Sequence, residues 1–171
     1  NPMDPYPLVR TLDKVGTVPG GMVRVPATDS SVGRLESFFI GRYEVTNREY
    51  KGCMDAGGYR NREYWRQPFV EDGRPLTWEQ AMGVLVDSSG QPGPSTWLGG
   101  DYRDGQADYP VSCVSWYEAA AYAQYARMTL PTSVHWDVAR GSLTPIVRFY
   151  PLVGFAFLAP FSNFGRQGLV A

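Results

Sequence analysis

Residues 109–141 read YPVSCVSWYEAAAYAQYARMTLPTSVHWDVARG, and this stretch decides the fold class. Ser115 followed three residues later by Glu118 is a capping box. The serine hydroxyl accepts from the amide of the third helical residue, and the glutamate reaches back to the amide of the cap. A helix is therefore expected to open at Ser115 and run through Arg127, with Ala119, Ala120, Tyr122, Ala123 and Ala126 as its apolar face. A further helix starts after Thr132, which follows Pro131, and contains Val134, Trp136 and Val138. Both helices are short and separated by a proline.

Upstream, the same signature recurs. Thr46-Asn-Arg-Glu49 opens a helix that stops at Gly57-Gly58, and Thr77-Trp-Glu-Gln80 opens one that reaches about Val86. Gly21 to Pro26 alternates apolar and polar residues as a short strand does, and Phe38 to Val45 is a second candidate strand. Residues 88–109, SSGQPGPSTWLGGDYRDGQADY, carry the glycine, proline, serine and aspartate of a long loop. No repeat and no low-complexity tract interrupts this order.

Composition agrees with an irregular α+β domain. The 171 residues suffice for one domain with a sizeable core. The 19 glycines and 14 prolines are about a fifth of the chain, against a usual share of about 12%. That excess disfavours a helix bundle or a Rossmann sheet. The 8 Phe, 11 Tyr and 5 Trp let a loop-rich chain still build a core, since each ring buries ~150–250 Å². Sixteen basic and 17 acidic residues leave a net charge of −1, which excludes the basic surface of a non-specific nucleic-acid binder or a polybasic membrane-surface protein. The start, NPMDPYP, has neither the basic nor the apolar region of a signal peptide and reads as a lead-in over residues 1–19, with the domain at 20–171. The most apolar run, residues 145–160, is shorter than the ~20 residues of a spanning helix and carries Arg148 and Pro151. It reads as a buried strand-and-loop region, with an exposed surface through which chains oligomerise as the alternative.

Candidate chemistry is sparse. Cys53 and Cys113 are not in a C-x-x-C pair; they read as two separate buried thiols, with one disulfide as the alternative. The single histidine, His135, falls inside an expected helix and reads as structural. No phosphate-binding glycine loop and no serine-nucleophile elbow is present. Asp101, Asp104 and Asp108 could offer hard oxygen ligands to Ca²⁺, although their spacing is not that of an EF-hand and a solvated turn is the simpler reading. Trp65, Trp97 and Tyr102 lie in or beside Gly/Pro-rich segments. Aromatics displayed on such loops would contact a protein, peptide or carbohydrate ligand, and otherwise they pack the irregular core.

The strings GMVRVPA (21–27), FFIGRYEVTNREYKGCMDAGGYR (38–60), the 109–141 stretch and SNFG (162–165) resemble the sulfatase-modifying-factor family, the formylglycine-generating enzyme superfamily. The resemblance covers about residues 20–168. Residues 61–82 and 90–112 resemble most the branch joined to bacterial Ser/Thr protein kinases, in which a kinase and a membrane segment precede the module. That placement implies an extracytoplasmic location. The resemblance implies a C-type-lectin-like α+β fold of which this chain holds the N-terminal two-thirds. The family's oxidation of a substrate cysteine to formylglycine uses copper and a cysteine pair in the C-terminal part, after motifs that do not occur here. Iron-dependent sulfoxide synthases in the same family use a three-histidine site on a companion domain, and one histidine cannot supply it. No catalytic residue and no cofactor is therefore carried over to this chain. The expected function is a non-catalytic binding or sensing module, with a kinase as a fused partner. The alternatives are a copper-dependent oxidase whose cysteines lie beyond residue 171, and a ligand-displaying variable protein.

Overall fold

The computed structural model describes residues 12–30 and 33–140. The apolar run at 145–160 and the SNFG string lie outside the described residues, as does the lead-in up to residue 11.

The four expected helices form. Helix α1, Asn47–Asp55, has Thr46 as its cap, and Glu49 Oε2 takes the Thr46 amide at 2.8 Å. Helix α2, Trp78–Val84, is capped by Thr77 and Gln80 in the same reciprocal way. Helix α3, Trp116–Tyr125, is capped by Ser115 and Glu118, and α4, Ser133–Ala139, by Thr132. Helix α2 stops short of Val86 because Leu85 leaves the helical conformation and turns into the core. Helix α3 buries Ala121 and Glu118 as well as Ala123, so its contact surface is wider than the expected stripe. A run of alanines presents little bulk on any side, and neighbours can approach it from several directions.

The strands are short and antiparallel. Strand β1, Met22–Val25, pairs with β4, Phe38–Gly41, in the register Met22↔Gly41 and Val25↔Phe38. Strand β4 ends four residues before the expected Val45. Val45 and Thr46 pair instead with another segment: the Val111 amide donates to the Val45 carbonyl at 2.9 Å, and Thr46 bridges to Pro110. Two small hairpins were not anticipated, β2 (Thr28–Ser30) with β3 (Gly33–Leu35), and β5 (Val70–Glu71) with β6 (Arg74–Pro75). Strands of two or three residues have too few positions to show a period of two.

The core is aromatic. Tyr50, Tyr59, Phe69, Ala81, Leu85 and Trp97 are buried together, and Val45, Met54, Leu76, Trp65 and Trp78 pack against them. The rings meet mostly at an angle: Tyr50 and Trp97 are edge to face at 6.0 Å, while Tyr50 and Tyr122 stack at 5.5 Å. Gly58 marks the tightest approach, since a Cβ there would sit 2.7 Å from Cys53 Sγ and 2.8 Å from the Cys53 carbonyl oxygen. Residues 88–109 contain no helix or strand, as the composition implies. Among the described residues no helix is long and apolar enough to cross a membrane.

Candidate functional site: a polar cleft between two stitched loops

Two loops, residues 88–97 and 103–112, form the walls of an open cleft of about 520 Å³. Buried polar side chains hold them in place. Asn47, at the start of α1, is 6% exposed. Its Oδ1 accepts from Trp97 Nε1 at 3.0 Å, and its Nδ2 donates to the Gln106 carbonyl at 2.8 Å. One side chain thus ties the first loop, the second loop and a helix. The Asn47 and Arg48 amides, left free by the first helical turn, donate to the carbonyls of Tyr109 and Ala107. Arg48 also grips Asp108 through two nitrogens at 2.9 and 3.2 Å. Thr96 Oγ1 donates to the Ser112 carbonyl at 3.2 Å, which joins the two walls directly.

Asp87 organises the first loop. Its carboxylate is 5% exposed and accepts from the Ser89 amide, the Ser89 hydroxyl and the Gln91 amide, while Oδ2 takes the Gly100 amide at 2.6 Å. Burial alone would raise its pKa, but the Ser89 hydroxyl and the backbone amides of Gly100, Ser89 and Gln91 outweigh it and hold the group down at about 2. The charge therefore persists at all but strongly acidic pH.

On the far side of the core, Glu118 is 4% exposed and has two roles. Its Oε2 caps α3 by accepting the Ser115 amide at 2.6 Å, and its Oε1 accepts from the Tyr59 hydroxyl. The Tyr50 hydroxyl lies 3.1 Å from that of Tyr59. With the Tyr59 proton committed to Glu118, Tyr50 is the donor between the two. Burial raises the pKa of both tyrosines well above the usual range, and both stay protonated. The chain of hydroxyls ending on a carboxylate is a structural tie between α1, the 58–60 turn and α3.

The sequence-selected residues are dispersed. Trp97, 2% exposed, is the floor of the cleft, and Tyr102 packs on it at 5.4 Å and 71°. Trp65 packs against the same core beside Tyr59, Phe69 and Trp78, without lining the cleft, and its Nε1 donates to the Gly58 carbonyl at 2.8 Å. The two tryptophans pack the core, which was the simpler of the two expectations for them. Asp108 is engaged by Arg48, Asp101 turns onto its neighbour's amide, and among the described residues no three His, Cys, Asp or Glu side chains converge as a metal site would need. Cys53 and Cys113 are both free. Cys53 is buried as expected, and burial pushes its thiol up to about 11. Cys113 corrects the expectation of two buried thiols: it is exposed, in a left-handed turn at φ 57° just before the α3 cap. Turn position, not hydrophobicity, sets its exposure. His135 is half-buried edge-on to Phe38 at 4.7 Å, with Nδ1 2.6 Å from the Thr132 hydroxyl, and is structural.

The polar residues that build the cleft, Asn47, Arg103, Gln106 and Ser112, escape sequence reasoning because their partners are distant in the chain. Only Asp87-Ser-Ser-Gly carries a local cue, an aspartate before small residues that signals a side-chain-to-backbone turn.

Residues 4–145 match the sulfatase-modifying factor enzyme 1-like domain. The chain belongs to that family. The short helices and two-stranded sheets are consistent with a formylglycine-generating-enzyme-like fold. Among curated relatives, the hercynine oxygenase of Mycolicibacterium thermoresistibile is 31% identical over 137 residues, covering 79% of this chain and 29% of that protein. The formylglycine-generating enzyme of Thermomonospora curvata is 30% identical over 153 residues, covering 74% and 48%. The serine/threonine-protein kinase pkn1 of Chlamydia caviae is 27% identical over 106 residues, covering 61% and 14%. The chain thus spans less than half the length of each of these three relatives.

Proposed function

We propose that this sulfatase-modifying-factor domain is a ligand-recognition module within a larger protein, one that also carries a protein kinase. The observation that carries the reading is the cleft. Its walls are cross-tied by buried Asn47 and by Asp87, so the site is preformed, and its volume is that of a small-molecule or peptide-end pocket. The similarity to the chlamydial kinase supports the architecture. The described residues do not fit a copper site of the family's kind, which needs paired thiolates. Cys53 sits protonated against Gly58, and Cys113 lies on the surface.

The test is a thermal-shift screen of the 171-residue chain against short peptides, organic acids and saccharides, repeated with Thr96→Trp, which fills the cleft mouth from an exposed position. Stabilisation by some ligand that disappears in Thr96→Trp is the expected result. Stabilisation that survives the substitution would place recognition elsewhere on the fold. A second reading is a copper-dependent formylglycine-generating oxidase with its cysteine pair beyond residue 171. It is favoured by the 30% identity to the Thermomonospora enzyme. Sequencing the gene on both sides of this segment tests it: two neighbouring cysteines downstream would call for an assay of cysteine-peptide oxidation, and their lack would end this reading.

A further inference from the structure

The groups left over in the cleft point to one chemical class of ligand. The backbone and the buried side chains of its walls are engaged with each other, as described above. Arg103 is different. It lines the cleft from an exposed position, and among the described residues no carboxylate pairs with its guanidinium. The side chains of Gln106, Tyr109 and Ser112 line the same cleft, and none of them makes a hydrogen bond within the described residues. These are one fixed positive charge and three neutral donors. No acidic side chain lines the cleft, although Asp101, Asp104 and Asp108 lie in the same stretch of chain.

Resting on the recognition reading above, we infer that the cleft takes a monoanionic carboxylate, held by the Arg103 guanidinium. Three physical arguments select this class. The guanidinium presents a planar pair of donors, and a carboxylate presents a planar pair of acceptors at the same spacing. A phosphate or other dianion would meet only a single cation, next to Asp104 in the chain. A cationic ligand would find Arg103 and no counter-charge. The remaining accessible lining, Tyr109 and Pro110, offers an apolar surface for the body that carries the carboxylate. A small aromatic acid and the C-terminus of a peptide share that description.

The experiment is a nitrogen–proton NMR titration of the 171-residue chain with four probes: benzoate, benzamide, N-acetyl-dialanine with a free C-terminus, and the same peptide as its amide. The reporters are the Trp97 indole N–H, the Gln106 side-chain amide and the Arg103 Nε–H, which surround the cleft. At least one acid is expected to shift all three saturably, tenfold or more tighter than its own amide. The acid that binds tells the two sources apart. Arg103→Gln, an exposed substitution that leaves the fold alone, should bring the acid down to the level of its amide, and Arg103→Lys should restore part of the difference. Equal binding of acid and amide would overturn the carboxylate inference and leave the recognition cleft standing, as would acid binding unaffected by Arg103→Gln. No shift at the three reporters from any probe at millimolar concentration would overturn the inference; the screen with Thr96→Trp then decides separately whether the recognition reading survives.

Discussion

The segment from Glu44 to Ala126 and the end made by residues 12–41 with α4 are built on different principles. In the first, six large or tightly packed residues close a core, and the buried polar side chains Asn47, Asp87 and Glu118 all have partners. In the second, no described residue from 12 to 41 is buried, and α4 buries only Val138. Its hairpins rest on backbone pairing, an Arg24–Asp13 ion pair and the edge contact of Phe38 with His135. Buried polar ties specify one arrangement because any other leaves a donor or acceptor unpaired. Exposed hairpins lack that penalty, so the cooperative unit of this domain is the first segment. Hydrogen exchange sharpens the contrast: the amides of β1 and β4 should exchange well before those of α1 and α3. Equal protection in both regions would break it.

The largest mutational effect belongs to Trp97→Ala, which removes the cleft floor, its contact with Tyr50 and the Asn47 bond together. A loss of about 3–5 kcal/mol in denaturant unfolding is expected. Glu118→Gln is subtler. The amide nitrogen cannot accept, so either the Ser115 amide or the Tyr59 hydroxyl loses its acceptor, at a cost of about 2–3 kcal/mol. If Glu118→Gln proves neutral, the polar tie is not what distinguishes this region, and packing alone explains its stability.

These two residues also show what a sequence can reveal. Three of the four helices were legible because a capping box is a local pattern: Thr46 with Glu49, Thr77 with Gln80 and Ser115 with Glu118 all lie within four residues, while α4 showed only its Thr132 cap after Pro131. That Glu118 would also receive Tyr59, 59 positions away, was not legible, because the bond depends on how α3 meets the 58–60 turn. Trp97 sits in a Gly/Pro-rich loop, a setting that left both display and core packing open; its ring is buried, with the indole N–H on Asn47. Asp108, read as a residue of a solvated turn with Ca²⁺ ligation as the alternative, is exposed and paired with Arg48, and that partner, 60 positions away, was not legible. Arg103, flanked by Tyr102 and Asp104, gave no cue, since its lack of a partner is a property of the folded chain. The family strings within residues 21–141 were legible, and they identify a fold without naming a ligand.

Asp87 carries a pH signature that separates the two regions. Its folded pKa of about 2 lies below the ordinary value of 3.8, so the ionised group stabilises the native state above about pH 4. That stabilisation is lost as the pH falls from about 4 toward 2. Asp87→Asn places a donor against backbone amides and costs about 1–3 kcal/mol at neutral pH. It should also flatten the stability profile in that acid window. Acid unfolding followed by near-ultraviolet dichroism of the tryptophans checks both. An unchanged acid limb in Asp87→Asn would mean that other carboxylates govern acid stability.

The smallest effects test the weaker region from inside a single strand. Phe38 and Phe39 are adjacent in β4 and point to opposite faces, as successive strand residues must. Phe38 is half-buried against His135, whereas Phe39 is 43% exposed opposite Arg24. Phe38→Ser should cost about 1–2 kcal/mol, a fraction of the value for full burial of a phenyl ring. Phe39→Ser should stay within about 0.5 kcal/mol, the range of surface substitutions. Trp136→Ser on α4, at 58% exposure, should behave like Phe39→Ser. Chemical denaturation of the three variants ranks them. If Phe39→Ser costs as much as Phe38→Ser, both faces of the hairpin are covered, and the contrast between a tied core and a loosely held end would have to be redrawn around whatever covers the second face.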